Sequence, residues 1–105
     1  LINTSRGEVV DLDAVTTALK ERTIDAVALD VLQKEPPDPE HPLMQALKER
    51  EEWTIGRVVM TPHAAWYTPD GLKDIRRKSA STTIRYLADN VFPRNCVNKA
   101  FLPQT

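Results

Sequence analysis

At 105 residues the chain is one small domain at most, able to bury roughly two-thirds of the surface its unfolded form exposes. A hydrophobic share of 41% places it among globular proteins and not disordered ones. A formal net charge of −1 gives no reason to expect nucleic acid or an anionic membrane as a partner.

Taken in chain order, residues 1–3 suggest the end of a buried strand, broken by Ser5, Arg6 and Gly7. With no initiator Met and no signal-peptide pattern ahead of them, they read as an internal start. Leu12, Val15 and Leu19 recur at helical spacing with Ala18 beside them, and Asp11 can cap a helix that ends near Arg22. Residues 25–31 are a nearly continuous apolar run, which suits a parallel strand covered on both faces. Four prolines between positions 36 and 42 make a loop. A short helix then starts at Pro42 and runs through Leu43, Met44 and Leu47 to about Glu51. Residues 57–61 predict a third strand, and Thr68 caps a long helix over about 69–90 with Pro69 at its first position. Leu72, Ile75, Ser79, Thr83, Leu87 and Val91 mark one stripe of that helix. Arg76, Arg77, Lys78 and Arg85 lie mostly off it and read as a solvated face. Strands alternating with helices point to an α/β domain with a parallel sheet. No apolar run approaches a membrane span. Cys96 stands alone, so an intracellular setting, cytoplasmic or nuclear, is expected.

In open α/β sheets, ligands bind just outside the carboxyl ends of the strands. Arg6 follows the first strand, Asp30 and then Glu35 the second, and His63 the third. An arginine, a carboxylate and a histidine are therefore expected to meet in one crevice, and that set suits reduction of a 2-oxo acid. A guanidinium fork fits the substrate carboxylate as Lys cannot. Hydride delivery leaves an alkoxide, which a group titrating near neutrality must protonate, and His is the usual residue. A neighbouring carboxylate fixes the tautomer and favours the imidazolium. Taken singly, His63 reads as a structural histidine, Arg6 as a surface cation and Glu35 as a solvated acid. Asp30, inside an apolar run, needs partners or a function. His41 reads as solvated loop, Cys96 as an inert thiol and Trp53 as packing for its own loop. No metal is expected.

Local words sharpen this. Asn3, Arg6, Gly7 and Asp11 stand as in the N-x-x-R-G-x-x-x-D segment of the D-isomer-specific 2-hydroxyacid dehydrogenases. Residues 29–36 resemble that family's L-D-V-x-x-x-E-P segment, and Thr61, Pro62, His63 and Ala65 its T-P-H-x-A block. Residues 62–67, with Trp66 among them, and residues 95–99 more closely resemble the C-terminal-binding proteins, the branch that includes transcriptional corepressors.

The resemblance implies the second half of a Rossmann-like, doubly wound parallel sheet. Residues 1–105 would be the C-terminal part of an NAD-binding domain plus a helix returning toward a substrate domain that the chain does not contain. It implies NAD as cofactor, and a 2-oxo acid or D-2-hydroxy acid as substrate. Arg6 would hold the substrate carboxylate and carbonyl, His63 would be the general acid/base with Glu35 as its partner, and Trp66 would line the substrate pocket, core packing being its alternative. Asp30 would meet the nicotinamide end, with the backbone of Thr4, Ser5 and His63 nearby. A homodimer is expected, and the rival reading is an NAD-sensing, corepressor-like dimeric scaffold. Two departures stand out. With Gly7, Gly56 and Gly71 alone no G-x-G-x-x-G phosphate loop can be built, so the isolated fragment is expected to be inactive. The segment 38–56 is longer than usual for the family and reads as a surface excursion.

Overall fold

The structure, a computed structural model, describes residues 1–94 and 96–101. It falls into two compact units, Leu1–Ala65 and Trp66–Thr105. In the first, three short strands form a parallel sheet: β1 (Ile2–Asn3), β2 (Val27–Leu29) and β3 (Val58–Met60), in the order β1-β2-β3. The strands are shorter than the apolar runs that predict them. Their ladders nevertheless extend by single bonds at the carboxyl ends, from Asp30 N–H to the Asn3 carbonyl at 2.9 Å and from Thr61 N–H to the Leu29 carbonyl at 3.0 Å.

Helix α1 (Leu12–Lys20) links β1 to β2. Asp11 caps it as expected, Oδ1 accepting from the N–H groups of Asp13 and Ala14. It stops short of Arg22, which turns left-handed at φ 57°. Helix α2 (Pro42–Glu49) and a 3₁₀ turn over Glu52–Thr54 link β2 to β3. Here two expectations change. The segment 38–56 is no mere surface excursion, because Leu43 and Ala46 are fully buried and Leu43 joins Val15, Leu19, Val27 and Leu29 in the core. Burying a Leu completely is worth roughly 1.5–3 kcal/mol. Nor is His41 a solvated loop residue: Nδ1 accepts from Leu43 N–H at 3.1 Å, capping α2, and Nε2 meets Asp13 Oδ1 at 3.0 Å. With Nδ1 accepting, Nε2 carries the proton and donates. His41 thus ties the second crossover to the start of the first.

Arg57 fastens the unit from below the sheet. Its guanidinium donates to the carbonyls of Leu19, Ile24, Asp25 and Trp53 at 2.6–3.0 Å, Leu19 being one of the carbonyls at the end of α1. Trp53, expected to pack only its own loop, packs against the core, with the Lys20 ammonium 5.0 Å from its ring centre. One sheet face is covered by α1 and α2. The other carries Ile2, Ala28 and Val59 side by side, and Ile2 and Val59 are exposed. The expectation of cover on both faces of β2 is therefore met on one face only: the two crossovers supply apolar side chains to the Val27 and Leu29 side alone.

In the second unit, α3 (Pro69–Asp89) begins at a Thr68 cap, whose Oγ1 accepts from Gly71 N–H at 2.9 Å. It ends where Asn90 turns left-handed and Phe92 folds back onto the Tyr86 ring, 5.0 Å between centres. None of its residues is buried, and Ile75, Ile84 and Leu87 are exposed. A single helix cannot bury its own apolar stripe. Asp74 pairs with Lys78 at 2.8 Å and with Arg77 at 3.4 Å, on the face expected to be solvated. Among the described residues no helix is long and apolar enough to cross a membrane.

Candidate active site

The carboxyl ends of β2 and β3 build one site. Just past β2, Asp30 is only 5% exposed, yet its carboxylate is satisfied. Thr61 Oγ1 and Ala64 N–H donate to Oδ1, and Ala65 N–H donates to Oδ2. The Thr61 hydroxyl bond holds the Asp30 carboxyl below the usual aspartate range. The Ala65 and Ala64 amides and the His63 charge assist, and burial opposes them. Glu35 curls back within the next loop. Its Oε1 accepts from Leu32 N–H at 2.8 Å, and its Oε2 lies 2.8 Å from His63 Nδ1. The histidine bond, then the Leu32 amide, draws the Glu35 carboxyl below the usual glutamate range. An ionised carboxylate only accepts, so Nδ1 carries the proton and Nε2 is the ring atom whose protonation can change. Asp30, Glu35 and His63 share a cavity of about 430 Å³ with an apolar wall that includes Leu32, Pro36 and Met60.

Past β1, Asn3 organises the loop. Its Oδ1 accepts from the amide and hydroxyl of Ser5, and its Nδ2 donates to the Arg6 carbonyl at 2.9 Å. Thr4, Ser5 and Arg6 do not line the cavity, and Arg6 Nη1 donates to the Ser5 carbonyl at 2.8 Å. The loop still touches the site's framework at Gly7, where a Cβ would lie inside the Leu32 peptide. Trp66 belongs to the second unit, where it is 47% exposed and meets Tyr67 edge-on at 5.4 Å. Of the late motif at 95–99, Asn95 lies outside the described residues, and Cys96 Sγ donates to Asn98 Oδ1 at 3.3 Å. Among the described residues no group of three metal-ligating side chains occurs. The sequence reading missed Thr61 as a partner of Asp30. A hydroxyl at the end of the strand beside a buried aspartate was the available signal.

A crevice at the carboxyl ends of a parallel sheet is where a Rossmann-like nucleotide-binding domain places its ligand. Residues 1–65 match the family described as "D-isomer specific 2-hydroxyacid dehydrogenase, NAD binding domain", and the chain belongs to that family. It is 38% identical over 99 residues to the glyoxylate reductase of Aeropyrum pernix, covering 94% of this chain and 27% of that protein. Against the glyoxylate reductase of Thermofilum pendens it is 38% identical over 102 residues, 97% and 27% of the two chains. Among solved structures it resembles the D-isomer specific 2-hydroxyacid dehydrogenase of Lactobacillus delbrueckii ssp. bulgaricus in its NAD complexed form. There the identity is 30% and the TM-score 0.63, over 93% of this chain and 31% of the other. The chain thus spans about a quarter of the length of the curated relatives it matches.

NAD is the cofactor of this family, and the residues present fit one end of it. The apolar wall of the cavity suits a flat nicotinamide ring. No residue among these 105 offers a glycine-rich loop for the diphosphate.

Proposed function

We propose that the protein carrying these residues interconverts a 2-oxo acid and a D-2-hydroxy acid, with His63 as general acid/base. Bound NADH would supply the hydride. In reduction, His63 gives the proton on Nε2 to the nascent alkoxide, and Glu35 keeps Nδ1 protonated and the ring in place. Arg6 takes the substrate carboxylate, a role its loop must reach by moving its side chain from the Ser5 carbonyl. Asp30 stands toward the nicotinamide end with the backbone of Thr4 and Ser5, and Trp66 lines the substrate pocket. Residues 1–105 form the C-terminal part of the NAD-binding domain, with α3 returning toward a substrate domain. The reading is carried by the 2.8 Å contact between His63 and Glu35 at the mouth of an apolar cavity. Glyoxylate is the first substrate to try, because two relatives at 38% identity are glyoxylate reductases. The test is His63→Ala in the full-length protein. Turnover should fall by ~10²–10⁴ while cofactor affinity stays near normal, and a variant with intact turnover overturns the assignment.

A second reading belongs to the C-terminal-binding-protein branch: an NAD-sensing, corepressor-like homodimer in which turnover is incidental. The words around Trp66 and the late motif at 95–99 support it. Sedimentation of the full-length protein with and without NADH, alongside turnover, separates the two. Cofactor-driven dimerisation with negligible turnover favours the scaffold.

A further inference from the structure

We propose that Thr61 is a positioning residue for His63, acting through the buried carboxylate of Asp30. The inference rests on the acid/base role of His63, and it starts from the backbone. His63 sits in the left-handed region at φ 52°, which is unfavourable for a residue with a Cβ. Such a conformation persists only where its surroundings over-determine it.

The end of β2 supplies much of those surroundings, and the Thr61 carbonyl also accepts from His63 N–H at 3.0 Å. Thr61 N–H donates to the Leu29 carbonyl, and Pro62 has no N–H to place. His63 N–H reaches the Asp30 carbonyl at 2.9 Å, while the Ala64 and Ala65 amides take the two oxygens of the Asp30 side chain. Asp30 therefore grips the chain after His63 through two amides. It grips the chain before His63 through a single side-chain bond, the Thr61 hydroxyl. Both sides must be held for the ring to leave the turn at the angle that lets Nδ1 meet Glu35.

Removing the hydroxyl frees the carboxylate to swing toward the amides alone and lets the turn relax at Pro62. Thr also suits the place better than Ser, because its branched Cβ restricts χ1 at the end of a strand. Thr61 lines the cavity as well, but its hydroxyl proton is committed to Asp30. Its expected effect is thus on the placement of the histidine and not on ligand affinity.

The experiment compares Thr61→Val, Thr61→Ala and Thr61→Ser in the full-length protein, reading kcat and KM for glyoxylate and NADH. Imidazole ¹⁵N spectra of His63 report which nitrogen carries the hydrogen-bonded proton. Val and Ala should lower kcat by on the order of 10- to 100-fold, the scale of a misplaced catalytic group, with KM for NADH within about twofold. Ser should recover most of the loss, and the signature of the Glu35-bonded Nδ1–H should fade in Val and Ala and return in Ser. If Val does not fold, the contrast between Ser and Ala carries the test. Unchanged kcat and spectrum in Ala overturn the proposal, as does a raised KM for NADH with kcat intact. Should His63→Ala keep its turnover, the functional reading fails, while the spectra of the Thr61 variants still decide whether the clasp exists.

Discussion

His63 and Glu35, 28 residues apart in sequence, meet through Nδ1 and Oε2 at 2.8 Å, and the other oxygen of Glu35 is held by the Leu32 amide. The carboxylate is thus anchored before it touches the ring. Replacing Glu35 with Gln keeps the size and one acceptor but removes the partner of the protonated imidazole. Turnover in reduction should fall in Glu35→Gln while KM for NADH stays near normal. Unchanged turnover would mean that the pair does not govern the proton delivered to substrate.

Acid stability follows from the same two carboxylates. Asp30 and Glu35 both lie below their ordinary values of 3.8 and 4.5 in the folded chain. A depressed carboxylate stabilises the fold fully above its unfolded pKa, and that contribution is lost as pH falls through the folded one. Stability should therefore drop as pH falls below about 4. Asp30→Asn should be less stable at about pH 7 and flatter toward about pH 3. Urea melts across that range are the measurement.

Arg57 should matter to stability and not to chemistry. Its guanidinium serves four carbonyls drawn from α1, the approach to β2 and the turn before β3. Arg57→Ala should cost about 1.5–3 kcal/mol, the range for hydrogen bonds to charged groups. Arg57→Lys should recover little, since one ammonium cannot span a fork of acceptors. Denaturant midpoints check both.

Gly7 is constrained by space. A methyl group there would occupy the Leu32 peptide, and Leu32 N–H is the donor that anchors Glu35. Gly7→Ala should cost about 1–3 kcal/mol through overpacking and also lower turnover by loosening Glu35. A variant that loses stability alone would show that the Leu32 loop adjusts without disturbing the site.

For Trp66 the expected effect is on specificity. A half-exposed indole stacked edge-on against Tyr67 contributes little to a core, so Trp66→Ala should melt near the parent. In the full-length protein it should discriminate by about 1–3 kcal/mol against 2-oxo acids with bulky side chains relative to glyoxylate. Equal losses for every substrate with a lowered melting temperature would make it a packing residue.

The local signals in the sequence carried α1 and α3, because Asp11 and Thr68–Pro69 punctuate helices in ways visible over four residues. They carried Asp30, Glu35 and His63 to neighbouring strand ends, because parallel topology determines where strand ends point. They gave the helix that starts at Pro42 but not that Leu43 and Ala46 complete the core, since an apolar stripe two turns long does not say what it packs against. Nor could they reveal the roles of His41 or Arg57. Their partners, Asp13 and Ile24, lie 28 and 33 residues away, and no periodicity encodes a bond across that distance. The Thr61 hydroxyl, whose partner lies 31 residues earlier, differs in having had a signal, a hydroxyl at the end of the strand beside a buried aspartate.

The row formed by Ile2, Ala28 and Val59 bears on how the chain behaves in the test tube. Three apolar side chains abreast on a flat surface, flanked by strands with unpaired outer edges among the described residues, offer neighbouring molecules something to adhere to. Preparations of residues 1–105 should scatter light increasingly with concentration and bind dyes that brighten on greasy surfaces. Val59→Lys, which leaves the buried side of β3 untouched, should raise the soluble yield without altering the pairing of Glu35 with His63.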